Sequence, residues 1–294
     1  MHPRKPVRFG QGIRLFSGAI LAVWGGLAVW AQPAAAPQPE WQNETLVHAG
    51  TEAPFATMTV FPDEATARTL ARENSPRVAS LNGDWKIFWV PKPADRVADF
   101  WRPDFNDAAW KTIPVPSNVE VQGFGMPIYT NIKYPWKVAN PPLIPDDYNP
   151  VSAFRRAFAV PSAWQGQEVF LTFDGVNSFF YLWLNGQKLG FSKDSRTPAT
   201  FRITPYLRSG QNLLAVEVFR WNDGSYLEDQ DFWRLSGIIR NVTLWSTPAV
   251  HVRDFEVQTR LDADYRDAEF VLTAEVKNFS GAAQDVALEA TLLD

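Results

Sequence analysis

The sequence predicts an all-β protein: a two-sheet jelly-roll sandwich over residues 78–247, followed by the start of a second β-sandwich over residues 248–294. Three observations carry this. From Leu81 onward apolar residues alternate with period two, as in Trp85, Ile87 and Trp89, in Val169, Leu171 and Phe173, and in Phe179, Tyr181 and Trp183. Turn-forming residues interrupt the alternation often, giving eight or nine candidate strands between Leu81 and Ser246. Between two such runs stand Asn185 and Gly186, the pair that a two-residue type I′ hairpin needs at its positive-φ positions.

Taken from the N-terminus, the chain opens with Arg4, Lys5, Arg8 and Arg14 and then the apolar run LFSGAILAVWGGLAVWA from Leu15. A basic stretch, an apolar run and small residues at Val29 and Ala31 predict a signal peptide over residues 1–31, cleaved before Gln32, with a periplasmic or secreted product. An uncleaved inner-membrane anchor is the alternative, because the run is at the short end of a spanning helix. Residues 32–77 read as an Ala, Pro and Gln leader with an N-terminal extension containing the helix-compatible text PDEATARTLARENSPR, and the ordered core is expected to begin near Val78. After Thr247 and Pro248 come three strand-like runs, VRDFEVQTRL, AEFVLTAEVKN and DVALEATLL. An immunoglobulin-like sandwich takes about seven strands, so these three are expected to be part of one.

Composition removes several function classes. With 46% hydrophobic residues and 13 Trp among 294, the chain can bury a large core. Residues 32–294 hold 24 basic against 32 acidic residues, which argues against a nucleic-acid partner. There is no Cys, hence no thiol nucleophile or disulfide framework. The three His, at 2, 48 and 251, stand at no metal-ligand spacing, Ser195 lacks a nucleophile-elbow pattern, and no phosphate-binding glycine loop occurs.

The densest chemistry lies in GSYLEDQDFWRLSGIIR, Gly224 to Arg240. Glu228, Asp229 and Asp231 repel one another unless paired, protonated or bound to a cation. A solvated loop is one reading. The flanking Tyr226, Leu227, Phe232, Trp233 and Leu235 favour a site, because carboxylates beside ring faces suit a sugar, or else a hard cation. Arg234 is placed to hold one of the acids as a bidentate pair, while Trp233 and Tyr226 read as packing residues rather than sugar platforms.

This run resembles the signature near the end of the first jelly-roll domain of bacterial β-galactosidases of glycoside hydrolase family 2. Four further stretches resemble that family in the same order: LNGDWKIFWV from Leu81, IPVPSNVEVQGFGMPIYTNIKYPW from Ile113, FDGVNSFFYLWLNGQKLGFSKDSRTPATFRITPYL from Phe173 and NLLAVEVFRWNDGSYLEDQD from Asn212. The resemblance covers about residues 40 to 250. It implies a galactose-binding-like domain whose Asn131 and Asp231 contribute to a galactose subsite, with Asp231 also a sodium ligand and Glu228, Trp233 and Arg234 in supporting roles. It implies that the two catalytic Glu residues, the other sodium ligands and the magnesium sites belong to a (β/α)8 barrel absent from this sequence. No catalytic residue is therefore expected in this chain, and the expected partners are a β-galactoside and a catalytic barrel or complementing subunit, with a homo-oligomer in the complete enzyme. A freestanding carbohydrate-binding module, or part of another family-2 glycosidase such as a β-glucuronidase, is the alternative. Two departures stand out: Ser117, Asn118, Val119 and Glu120 replace the usual SNWE, removing an aromatic expected at the domain edge, and the Pro-rich VANPPLIPDDYNP from Val138 resembles the family's variable loop.

Overall fold

The structure, a computed structural model, describes residues 38–68, 71–137 and 139–292. The expected signal peptide and residues 32–37 lie outside them. Seven strands form one antiparallel sheet in the order β1 (His48–Ala49), β10 (Gln187–Ser192), β9 (Phe179–Leu184), β12 (Gln211–Phe219), β6 (Val151–Ala159), β3 (Gly83–Val90) and β4 (Lys111–Val115). Four form a second: β11 (Ala199–Arg202), β7 (Glu168–Phe173), β15 (Val242–Thr247) and β2 (Val78–Ser80). Two short pairs and a long hairpin complete the described residues: β5 (Ile128–Thr130) with β13 (Phe232–Arg234), β8 (Val176–Asn177) with β14 (Gly237–Ile238), and the hairpin of β16 (Val250–Leu261) with β17 (Ala268–Asn278). The all-β sandwich read from the sequence is the observed fold.

Why the larger sheet is so aromatic follows from its burial on both sides. In β9 every residue is buried. Phe180, Leu182 and Leu184 point into the core between the sheets with Leu171, Phe173, Phe201, Val216 and Val242. Phe179, Tyr181 and Trp183 point the other way into a second apolar cluster, roofed by Trp41, Phe100, Trp110 and Ile144 from connecting segments. A strand with two buried faces loses the polar alternation of a half-exposed one. Between β9 and β10, Asn185 and Gly186 have φ of 54° and 87°, as the hairpin reading requires.

The ordered core begins earlier than Val78. Trp41 is buried against Phe219, ring centroids 5.2 Å apart, and Glu40 accepts from Tyr181 Oη at 2.5 Å and Lys188 Nζ at 3.2 Å. An isolated Trp in a stretch without periodicity gives no pattern to read, so this contact was invisible in the sequence. Among the described residues the helix-compatible text yields α1 (Glu64–Ala67), capped by Asp63, which accepts from Thr66 N at 2.8 Å, and a single 3-10 turn at Arg72–Asn74. At the other end, residues 285–292 form no strand, because among the described residues they have no ladder partner. The β16–β17 hairpin rests on the sandwich through Arg253 over the Phe55 ring and Asp254, which accepts from Ala56 N at 2.7 Å.

If residues 40–43 belong to the folded unit, Trp41→Ala removes a core side chain and lowers unfolding stability by about 3 kcal/mol. Urea titration checks this, and an unchanged midpoint contradicts it.

Candidate functional site

The short β5–β13 pair carries the residues that the sequence singled out. Its register, Phe232 opposite Thr130, Trp233 opposite Tyr129 and Arg234 opposite Ile128, leaves Asp231 and Asn131 each one residue beyond the last pair, at the open end of the ladder. Both are exposed, and both sit at the edge of the sandwich rather than in it.

Two buried arginines fix this pair. Arg234 is enclosed beneath it, donating from Nε to Thr130 Oγ1 at 3.2 Å, from Nη2 to Thr130 O at 3.3 Å and from Nη1 to Glu228 O at 3.4 Å, and pairing with Asp229. That ion pair runs through one carboxylate oxygen, Oδ1, and not as the two-point fork the sequence suggested, because three other donors go to Thr130 and to the Glu228 carbonyl. Deeper still, Arg220 donates from Nη2 to Arg234 O at 2.6 Å and Met126 O at 3.0 Å, and lies 3.4 Å from Glu120. Glu120 in turn accepts from Ser236 N at 2.8 Å and Oγ at 2.6 Å. Burial pushes the Arg220 guanidinium below its ordinary proton affinity and the Glu120 charge opposes that. The Glu120 carboxylate reaches this position because Ser117 and Val119 donate backbone bonds to Ile238 and Ser236, and Gly237, with φ 118°, leaves room that a Cβ would lose to Ser117 O at 2.9 Å.

Each of the three clustered acids has its own partner, which is how the mutual repulsion is dispersed. Glu228 accepts from Ser195 N at 3.2 Å and Oγ at 2.5 Å, Asp229 pairs with Arg234, and Asp231 accepts from Tyr129 Oη at 2.6 Å. Burial pushes the Glu228 carboxyl above the ordinary range against the Ser195 bonds, with the Asp194 charge adding to the rise. The hydrogen bond to Asp231 holds the Tyr129 phenol above its usual value.

The structure separates positions that the sequence left together. Trp233 is 57% exposed and lies against Tyr129, ring centroids 5.6 Å apart, which excludes core packing and leaves the interdomain half of its packing reading; the alternation of β13 puts Arg234 inward and Trp233 outward. Tyr226 is core, as expected, donating to Leu143 O at 2.7 Å and accepting from Asn140 N at 3.1 Å, which ties down the Pro-rich loop. Val119 packs in the core between the sheets and not at a domain edge. The sequence reading missed Arg220 and the buried Lys193–Asp223 pair at 2.8 Å. The signal for Arg220 was present: a cation closing the buried strand text NLLAVEVF needs a buried partner.

Among the described residues no group of three His, Cys, Asp or Glu is placed to hold a metal ion. Asp231 has one oxygen taken by Tyr129, which fits one ligand position for a hard cation and not a full oxygen shell.

Glu228 holds its proton to higher pH in the folded state than in the unfolded chain, so stability falls as pH rises upward from the ordinary carboxyl value of 4.5. Glu228→Gln removes that contribution and flattens the stability profile over this window. Parallel wild-type and variant profiles in chemical denaturation at stepped pH contradict the assignment.

The comparisons with known proteins bear on this edge. The family model for glycosyl hydrolases family 2, sugar binding domain, matches residues 78–248. A β-galactosidase of Priestia megaterium is 42% identical over 261 residues, covering 87% of this chain and 25% of the relative. One of Pectobacterium atrosepticum is 48% identical over 221 residues, covering 72% and 21%. The chain therefore spans about a quarter or less of the length of these curated relatives. Among solved structures, a Bacteroides uniformis β-glucuronidase matches with a TM-score of 0.54 at 23% identity, over 68% of this chain and 22% of that one, and an uncultured Clostridium sp. β-glucuronidase with 0.51 at 23%, over 68% and 33%. At that identity the likeness concerns the fold alone. The matched span contains the whole β5–β13 edge with its acidic loop, and by this match the chain belongs to glycosyl hydrolase family 2 through that family's sugar-binding domain.

Proposed function

We propose that this chain is the N-terminal part of an exported β-galactosidase, and that its β5–β13 edge supplies Asn131 and Asp231 to the galactose subsite of a catalytic barrel carried elsewhere. The observation that supports this most is the register that leaves Asp231 and Asn131, both exposed, one residue beyond the same end of the β5–β13 ladder. The Asn131 amide both donates to and accepts from a hydroxyl, and Asp231 accepts, so together they discriminate hydroxyl stereochemistry. Bound at Asp231, a sodium ion would supply a fixed positive charge to hydroxyl oxygens; its other ligands and the magnesium sites belong to the barrel. Glu228 and Arg234 position the loop, and Trp233 offers a ring face. The exposed Ile132, Leu227, Tyr129 and Trp233 around the pair form an apolar rim suited to docking against the barrel mouth. In the same reading residues 248–294 are part of an immunoglobulin-like domain, and the complete enzyme is a homo-oligomer.

A second reading, a freestanding carbohydrate-binding module, draws on one observation: exposed Tyr129 and Trp233 rings beside a carboxylate and an amide. Mixing the purified chain with a separately expressed family-2 barrel fragment and assaying a nitrophenyl β-galactoside separates the two. Hydrolysis is expected only in the mixture, reduced at least tenfold by Asn131→Ala or Asp231→Ala and, in the latter, no longer responsive to sodium. Saccharide binding by the chain with no hydrolysis in the mixture supports the module instead. For export, the intact mass of protein recovered from a secreting host is expected to begin at Gln32; a mass beginning at Met1 contradicts cleavage.

A further inference from the structure

A large cavity lies away from the β5–β13 edge. A space of about 690 Å³ lies between the strap of residues 47–60 and the outer face of the four-stranded sheet, within the size range of small-ligand sites. It shares no lining residue with the small cleft at Glu228, Asp229 and Arg234. One wall is carbon: Phe55 and Met58 from the strap, and the Trp245 ring, which stacks on Phe170 with centroids 4.4 Å apart and is thereby held in one orientation.

The polar wall is unspent. Trp245 Nε1 donates to Thr172 Oγ1 at 2.9 Å, and Thr172 and Thr200 share one hydrogen bond at 2.8 Å. Whichever threonine donates, the other's hydroxyl proton has no acceptor among the described residues, and both line the cavity. Asp174, half-buried at the same cavity, accepts no side-chain hydrogen bond from any described residue, although Arg72 and Arg240 are near enough to act on its charge. Arg240 gives a hydrogen bond to Arg196 O at 2.6 Å, while the Arg72 side chain has no hydrogen-bond partner among the described residues.

Donor and acceptor positions beside a fixed ring face fit a molecule whose groups both give and take hydrogen bonds. The charge balance narrows the class. Glu52, Asp174 and Asp194 stand against Arg72 and Arg240, so neither an anion nor a cation finds a wall of opposite sign. We propose that this cavity is a second carbohydrate site, taking a short neutral oligosaccharide with Asp174 and the Thr172–Thr200 pair on its hydroxyls and Trp245 and Phe55 against its C–H faces. The site is independent of the galactose-subsite reading, because it uses none of those residues.

Isothermal titration of the full chain with β-1,4-galactotriose, cellotriose and mannotriose tests it. At least one is expected to bind with one-to-one stoichiometry, weakened about tenfold or more by Asp174→Ala and by Arg72→Ala, and unchanged in an Asn131→Ala, Asp231→Ala double variant. Thermal melts confirm that each variant is folded, and because Arg72 is an exposed residue on the turn Arg72–Asn74, outside both sheets, it keeps the test valid if Asp174→Ala fails to fold. Absence of binding by all three saccharides overturns the inference. So does binding that the double variant abolishes while Asp174→Ala and Arg72→Ala leave it intact, an outcome that supports the galactose-subsite reading instead.

Discussion

The buried Glu120–Arg220 pair is the constraint on which the functional edge depends. It joins three stretches far apart in sequence: the turn after β4, the end of β12, and the segment between β13 and β14. Desolvating two charges is expensive, and the attraction between them does not by itself repay it. Here the cost is offset in part by the bonds each makes besides the pair, from Ser236 to Glu120 and from Arg220 to two carbonyls. Taking away either charge strands the other in a water-free interior, at roughly 3–5 kcal/mol. Such an arrangement tolerates one geometry, and that geometry is what a short strand pair needs if it is to present side chains at fixed positions beyond the sandwich.

Electrostatics then works outward by layers. The innermost cation holds the carbonyl of Arg234, whose guanidinium holds Asp229 and the turn around Thr130. Glu228 is drawn back against Ser195. Only Asp231 is left near water, with a phenol on one oxygen. Three adjacent carboxylates thus have three separate fates, two structural and one available to a ligand. An acidic run in a sequence has no means of announcing that division.

What the sequence disclosed and what it hid follow the range of the interactions involved. Strands such as β7 and β9 were legible because alternation is local, and the hairpin at Asn185 and Gly186 because positive φ selects residue types. Asn131 and Asp231 could be named through resemblance, but their place at one end of a ladder depends on pairing between segments about a hundred residues apart, which no window contains. Trp233 read as a packing residue without a direction, because an aromatic's inward or outward placement depends on the register of its strand. Val119 was misjudged, since its placement in the core is set by the approach of Gly237. The resemblance took in Trp41, but its burial was not read because its partner, Phe219, lies far along the chain.

The most direct test of the central claim is a crystal structure of the chain assembled with a family-2 catalytic barrel and a non-hydrolysed galactose analogue. The account predicts the Asn131 amide and the Asp231 carboxylate within hydrogen-bonding distance of the sugar hydroxyls, with the β5–β13 edge at the barrel mouth. A galactose ring held wholly by barrel residues, with that edge facing solvent, would contradict it.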